Sequence, residues 1–203
     1  MRRQGKLIIL SGPSGVGKGT VCEALKAKRK DLKVSISATT RAKRPQEKDG
    51  ENYFFHTLAE FNTLIDRGEL IEFAKVHGNY YGTPKAYVLD QLAAGENVLL
   101  EIDVQGAMQV KQNMPGGVYI FLLPPHRDDL ESRIRNRGSE DEESIHLRLT
   151  NAKKEISMLH DYDYAVVNDE VDRCAEMVSH IIDAENQRID AELIETYWEE
   201  FHD

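Results

Sequence analysis

The residues of this chain best suited to chemistry come early. Gly12-Pro13-Ser14-Gly15-Val16-Gly17-Lys18 lies directly after the apolar run Leu7-Ile8-Ile9-Leu10 and opens a helical pattern. The spacing is G-x-x-x-x-G-K, and its chemistry is the grip of a polyphosphate. Glycines let the backbone wrap closely around phosphate oxygens with successive N–H groups turned inward, and the helix N-terminus adds favourable potential. Lys18 is placed to reach the β- and γ-phosphates as a mobile point charge. Gly19 follows the lysine and Thr20 comes second, so the hydroxyl that usually follows the lysine is displaced by one position. No direct protein ligand for a metal is therefore expected. Mg2+ would be held by phosphates and water, with Thr20 nearby. A phosphate loop alone leaves GTPases, ATPases and small-molecule kinases open.

The elements that must hold this loop follow from the apolar runs. Leu7 to Leu10 is wholly apolar, as in a central parallel strand covered on both faces. Residues 17–29 follow with Val21, Leu25 and Lys28 at helical spacing, and Val98 to Ile102, Val118 to Leu123 and Tyr164 to Val167 are further runs of strand length. Strand–helix alternation predicts an α/β fold with a parallel sheet flanked by helices. Two segments interrupt it. Residues 35–84 are polar, aromatic-rich and turn-rich, with Pro45, Gly50, Gly68, Gly78 and Gly82 and β-like alternation in Val34-Ser35-Ile36-Ser37; they read as an inserted subdomain. Residues 124–148 open on Pro124-Pro125 and carry five arginines, Arg127, Arg133, Arg135, Arg137 and Arg148. Ser139 with Glu142 predicts a capping box for a helix striped by Ile145, Leu149, Ala152, Ile156 and Leu159. The expected division is a core of 1–34, 85–123 and 149–203 interrupted by 35–84 and 124–148. From about Ala184 the chain is polar and helical, with Ile189, Ile194 and Trp198 weakly patterned; its candidate partners are the core or a second subunit of a homo-oligomer.

Composition narrows the class. With 40% hydrophobic and 30% charged residues, the 203-residue chain has the make-up of a globular protein, not a disordered one. A formal net charge of -9 argues against nucleic acid and anionic membranes as partners, so polyphosphate binding requires local basic clusters. Cys22 and Cys174 read as reduced structural thiols. The apolar run near the N-terminus is too short for a secretory or membrane segment, which predicts a cytoplasmic protein. None of the seven histidines, His56, His77 and His126 among them, has metal-ligand spacing.

The acceptor chemistry emerges from longer blocks. Ser35-Ile36-Ser37-Ala38-Thr39-Thr40-Arg41-Ala42-Lys43-Arg44-Pro45 resembles the S-x-S-x-T-T-R-x-x-R motif of guanylate kinases. Gly50-Glu51-Asn52-Tyr53-Phe54-Phe55, Leu70-Ile71-Glu72, Gly78-Asn79-Tyr80-Tyr81-Gly82-Thr83, Glu101-Ile102-Asp103-Val104-Gln105-Gly106 and Arg133 to Gly138 follow in family order, over about residues 5–185. Gly-Lys-Gly-Thr likewise resembles the loop variant of nucleoside monophosphate kinases. The resemblance implies a phosphate-loop parallel sheet with an inserted mixed α+β GMP-binding subdomain and a short helical lid over 124–148. It implies that ATP, with Mg2+, lies on Gly12 to Thr20 with Asn168 near the adenine.

For GMP the resemblance implies Arg41, Arg44, Tyr53 and Tyr81 on the phosphate, and two guanidinium forks with two phenols suit a dianionic monoester. Taken alone, Arg41 and Arg44 would read as a solvated basic loop. For the base it implies Glu72 and Ser37, assisted by Thr83 and Asp103. Guanine offers N1–H and a 2-amino group to one carboxylate, whereas adenine turns a lone pair toward it. An unpaired buried polar group costs about 1–3 kcal/mol, so GMP is favoured over AMP. Glu101 and Asp103 form an acidic pair implied to lie between the nucleotides; many members carry Asp where this chain has Glu101. Lys18, Arg41, Asp103 and the lid residues Arg133, Arg137 and Arg148 are the expected catalytic set, the lid arginines closing over the γ-phosphoryl group. Rival readings are a non-catalytic guanylate-kinase-like module that binds proteins, a kinase for another acceptor, and a GTPase, though no N-K-x-D tetrapeptide occurs.

Overall fold

Leu7–Ser11 forms strand β1, with every side chain buried. In this computed structural model, which describes residues 4–76, 78–135, 142–189 and 191–201, β1 is the middle of a five-stranded parallel sheet. The spatial order is β2 (Leu32–Val34), β7 (Asn97–Glu101), β1, β8 (Val118–Leu123) and β9 (Tyr164–Val167). Because side chains alternate along a strand, a run buried on both faces must be apolar throughout. Ile8 and Leu10 pack with Val21 and Leu25 of α1 (Lys18–Lys28) and with Val178 and Ile182 of α7 (Val171–Asn186). Leu7 and Ile9 pack on the other face with Val88 and Leu92 of α3 (Lys85–Ala93) and Val110 of α4 (Val104–Asn113). Each such side chain contributes about 1.5–3 kcal/mol. The α/β parallel sheet expected from the sequence is present.

A second, four-stranded sheet is drawn from residues 38–84. Its order is β4 (Phe54–Phe55), β3 (Ala38–Thr39), β6 (Asn79–Pro84) and β5 (Leu70–Val76). Helix α2 (Leu58–Asp66) covers it, burying Phe61 with Ala38 and Leu70, and starts at a capping box between Thr57 and Glu60. The alternation expected across Val34 to Ser37 is not one strand. Val34 ends β2 in the first sheet, Ser35 N–H adds one more bond to Leu99 O at 2.9 Å, and the chain then crosses to β3 in the second. Residues 35–37 are the crossing.

Helices α5 (Arg127–Arg135) and α6 (Glu142–Ser157) form a third small cluster through Leu130, Ile134, Ile145 and Ala152. Helix α6 runs through residue 148 without a break and ends before Leu159, which belongs to a 3-10 turn over Leu159–Asp161. The expected cap at Ser139, together with Arg137 and His77, lies outside the described residues. Helix α8 (Ala191–Phe201) leaves Ile194, Tyr197, Trp198 and Phe201 exposed. Among the described residues no helix is long and apolar enough to cross a membrane, and both cysteines are free and buried.

Candidate active site

The phosphate loop spans the gap between β1 and α1 at the C-terminal edge of the parallel sheet, where such folds place ligands. Gly17 caps α1 in the left-handed region, φ 99°, and a Cβ there would lie 2.7 Å from Asn168 Nδ2. Gly12 is excluded from substitution by the Leu122 carbonyl, 2.6 Å from where its Cβ would stand. Asn168, only 3% exposed at the end of β9, donates to Val16 O at 2.8 Å. Arg133 on α5 donates to the same Val16 O at 3.1 Å and to Asn168 O at 2.9 Å. Both residues expected around ATP thus also brace the loop backbone. Lys18 Nζ donates to Gly12 O at 2.7 Å and Pro13 O at 3.3 Å, inside its own loop. Ser14 N–H donates to Glu155 Oε2 of α6 at 3.3 Å. Burial raises the Glu155 pKa and Asp103 adds to the rise, while the Ser14 N–H and Lys18 oppose it. Arg148 lies on α6 as well, two turns before Glu155 and so on the same side of the helix, with Nη1 buried.

Glu101 and Gly19 are neighbours. A Cβ on Gly19 would stand in ordinary contact, 3.4 Å, with Glu101 Oε1, which places the carboxylate beside the first turn of α1. Thr20 is exposed on that same turn.

Glu72 is 6% exposed on β5, and Thr83 Oγ1 donates to its Oε1 at 2.7 Å. Burial pushes its carboxyl up to about 7, with nearby Asp103 adding to the rise and the Thr83 bond opposing it. The register of β5 against β6 shifts between Leu70 and Phe73, an irregularity of the kind that re-aims a side chain. Helix α4 holds this stretch: Gln109 accepts from Phe73 N–H and donates to Phe73 O, both at 3.1 Å, and Asn113 donates to Ile71 O at 2.8 Å. Asp103 caps α4 by accepting from Gly106 N–H at 2.7 Å. A Cβ on Gly106 would stand 3.0 Å from Glu72 Oε2 and 3.4 Å from Asp103 Oδ1. The two carboxylates therefore approach across a glycine.

A cleft of about 580 Å³ is lined by Ser37, Tyr53, Thr83 and Glu101 among others, and Thr83 links it to Glu72. At its Tyr53 side Arg41 Nη2 donates to Glu47 Oε1 at 2.7 Å and Nη1 to Glu47 Oε2 at 3.1 Å. The guanidinium lies over the Tyr53 and Phe55 rings at 5.4 and 5.8 Å, and Tyr53 meets Tyr81 edge-on at 6.0 Å. Arg44 is not drawn in; its side chain is exposed, and its backbone N–H donates to Glu47. Tyr80 packs on Phe61.

The Guanylate kinase family model matches residues 4–185. The chain belongs to the guanylate kinase family. It is 52% identical over 190 residues to the guanylate kinase of Caldanaerobacter subterraneus subsp. tengcongensis, covering 94% of this chain and 92% of that one. It is 49% identical over 197 residues to that of Lactococcus lactis subsp. lactis, covering 97% and 96%. Its structure is similar to a crystal structure of guanylate kinase from Anaplasma phagocytophilum, with TM-score 0.73, 36% identity and coverage of 92% and 89%.

Within this guanylate kinase fold, sequence reasoning missed Glu47, Gln109 and Glu155, and it placed Gly106 in a family block without a role. Gly106 carried a signal, a glycine inside an otherwise helical run. Glu47 follows the Arg41 motif but is isolated in a polar loop. Gln109 and Glu155 act on partners 36 and 141 residues away, which no local pattern marks.

Proposed function

We propose that this chain transfers the γ-phosphoryl group of ATP to GMP, with dGMP as an alternative acceptor, giving ADP and GDP. The observation that carries the reading is the buried Glu72 carboxylate, tied to Thr83 of the cleft wall, with Arg41 and two phenols grouped where a nucleotide phosphate would lie. Glu72 accepts guanine N1–H and the 2-amino group, and Ser37 donates to O6. Arg41, Tyr53, Tyr81 and, once it turns inward, Arg44 take the phosphate.

A phosphate monoester is already an ionised nucleophile near neutral pH, so no general base is needed. Catalysis comes from positioning and charge neutralisation. Lys18 leaves its loop carbonyls for the β- and γ-phosphates, Asp103 is fixed by its cap near Glu72, and Arg133, Arg137 and Arg148 close over the transferring group. Asn168 holds the loop near the adenine. Among the described residues no group of three or more His, Cys, Asp or Glu forms a metal cage. The oxygen donors beside the loop, Thr20 and Glu101, suit Mg2+ that keeps its phosphate and water ligands. When bound, Mg2+ neutralises charge on the phosphate oxygens. Segments 35–84 and 124–148 move toward the core of 1–34, 85–123 and 149–203 when both nucleotides bind, excluding water from the γ-phosphoryl group.

ADP release with GMP, dGMP, AMP and CMP as acceptors tests the reading. Turnover is expected with GMP and dGMP only; equal rates with AMP, or none with GMP, would overturn it. Scattering that shows unchanged compactness with GMP and an ATP analogue would remove closure.

A further inference from the structure

We infer that Glu47 is a positioning residue that presets the edge of Arg41 on which the acceptor's phosphate lands. The inference rests on the reading that Arg41 grips that phosphate. A guanidinium carries five N–H groups in one plane. Glu47 takes one from Nη2 and one from Nη1, in a fork of 2.7 and 3.1 Å, and Ala42 O takes another from Nη1 at 2.8 Å. What is left is Nε–H and the second Nη2–H. These lie side by side on one edge, the arrangement that meets two phosphate oxygens at once. The Tyr53 and Phe55 rings lie against the guanidinium, and the Tyr81 phenol also hydrogen-bonds with it, a phenol beside the donors offered to the phosphate. Arg41 is thus held with one ligand-binding edge presented.

Glu47 could instead be a stand-in for the phosphate, to be displaced when the nucleotide arrives. Its other bonds decide against that. Its Oε2 also accepts from Arg44 N–H at 2.8 Å, and its own N–H donates to Arg44 O at 3.1 Å, so the carboxylate is anchored in its own turn with or without Arg41. Both side chains are largely shielded, 18% exposed for Arg41 and 16% for Glu47. A displaceable counter-ion would be held by the arginine alone, on the edge the phosphate needs. Glu47 sits on the adjacent one. The free long side chain would otherwise lose its rotamer freedom only on binding, so an already ordered fork improves affinity for the phosphate.

The two roles predict opposite signs. In Glu47→Gln the brace is broken and one negative charge is removed. The expected result is a rise of about ten-fold in KM for GMP with KM for ATP unchanged, and no change in affinity for guanosine, which lacks the phosphate. An unchanged or lower KM for GMP would overturn the inference, as would an equal loss of guanosine affinity. Arg41→Gln, measured beside it, separates the levels: if that variant leaves KM for GMP unchanged, the reading of Arg41 itself fails. If it raises KM while Glu47→Gln does not, only the inference about Glu47 fails. In the Arg41→Gln background Glu47→Gln is expected to add nothing. Glu47→Asp, which keeps the charge but shortens the arm, is expected to raise KM for GMP by a smaller factor, and serves alone should Glu47→Gln fail to fold.

Discussion

Arg41 at the acceptor end is gripped by the Glu47 carboxylate with one edge still presented, whereas Lys18 at the donor end donates to the Gly12 and Pro13 carbonyls of its own loop. The same contrast runs through the neighbours. Glu72 is already tied to Thr83, on a strand that Gln109 and Asn113 clamp to α4. Ser14, in contrast, has its N–H on a carboxylate of α6, which on the proposed reading a nucleotide phosphate replaces. Arg44 apart, the proposed acceptor residues are held in place before ligand arrives, while the donor loop has its lysine and one N–H satisfied within the protein. GMP is therefore expected to bind alone, and ATP binding to be coupled to α6.

The largest effect expected is that of Glu72→Gln. The amide turns an N–H2 or a single acceptor toward guanine, and kcat/KM for GMP should fall about a hundred-fold or more while ATP binding is unchanged. An equal loss of ATP binding would show that the two ends are not separable. Next comes pH. Burial holds Glu72 near 7 against an ordinary value of 4.5. Between those values the folded protein keeps the proton that the unfolded chain has released, so stability falls as pH rises through this window, by up to about 3 kcal/mol. On the proposed reading guanine is bound by the ionised carboxylate, so affinity should fall about ten-fold per unit as pH drops below that folded-state pKa. Guanosine titrations read this without the phosphate's own titration, and a flat profile would contradict it.

Smaller effects probe the donor end and the clamp. Glu155→Gln removes the charge that repels an incoming phosphate but keeps an acceptor for Ser14, so KM for ATP should drop by about three-fold or more with KM for GMP unchanged. A rise in KM for ATP would mean that Glu155 supports the loop instead. Gln109→Ala removes two bonds to the β5 backbone, with an expected loss of about 2 kcal/mol in stability and about 5 °C in Tm, plus a few-fold rise in KM for GMP. A rise in KM for ATP instead would place the clamp on the wrong end.

What could be read from the sequence divides along the same line. The phosphate loop was legible because its parts are covalent neighbours whose order dictates strand, turn and helix. The parallel sheet was legible because burial on both faces forces continuous apolar runs, as in Leu7 to Leu10. Glu72, an isolated acid, carried meaning only through its place among the family blocks. Its raised pKa comes first from burial and then from Asp103, which comes close only when α4 packs on β5. The alternation at Val34 to Ser37 misled because a crossing between two sheets keeps extended backbone without strand pairing. Ser35 N–H still reaches Leu99 O, so the pattern outlived the strand by one residue.

Calorimetric titration of GMP and of AMP into the nucleotide-free protein, at about pH 8 where Glu72 is ionised, puts the preformed acceptor end to the most direct trial. GMP is expected to bind with no ATP present, and AMP at least about a hundred-fold more weakly. Equal affinity for the two, or GMP binding only once an ATP analogue has been added, would contradict it.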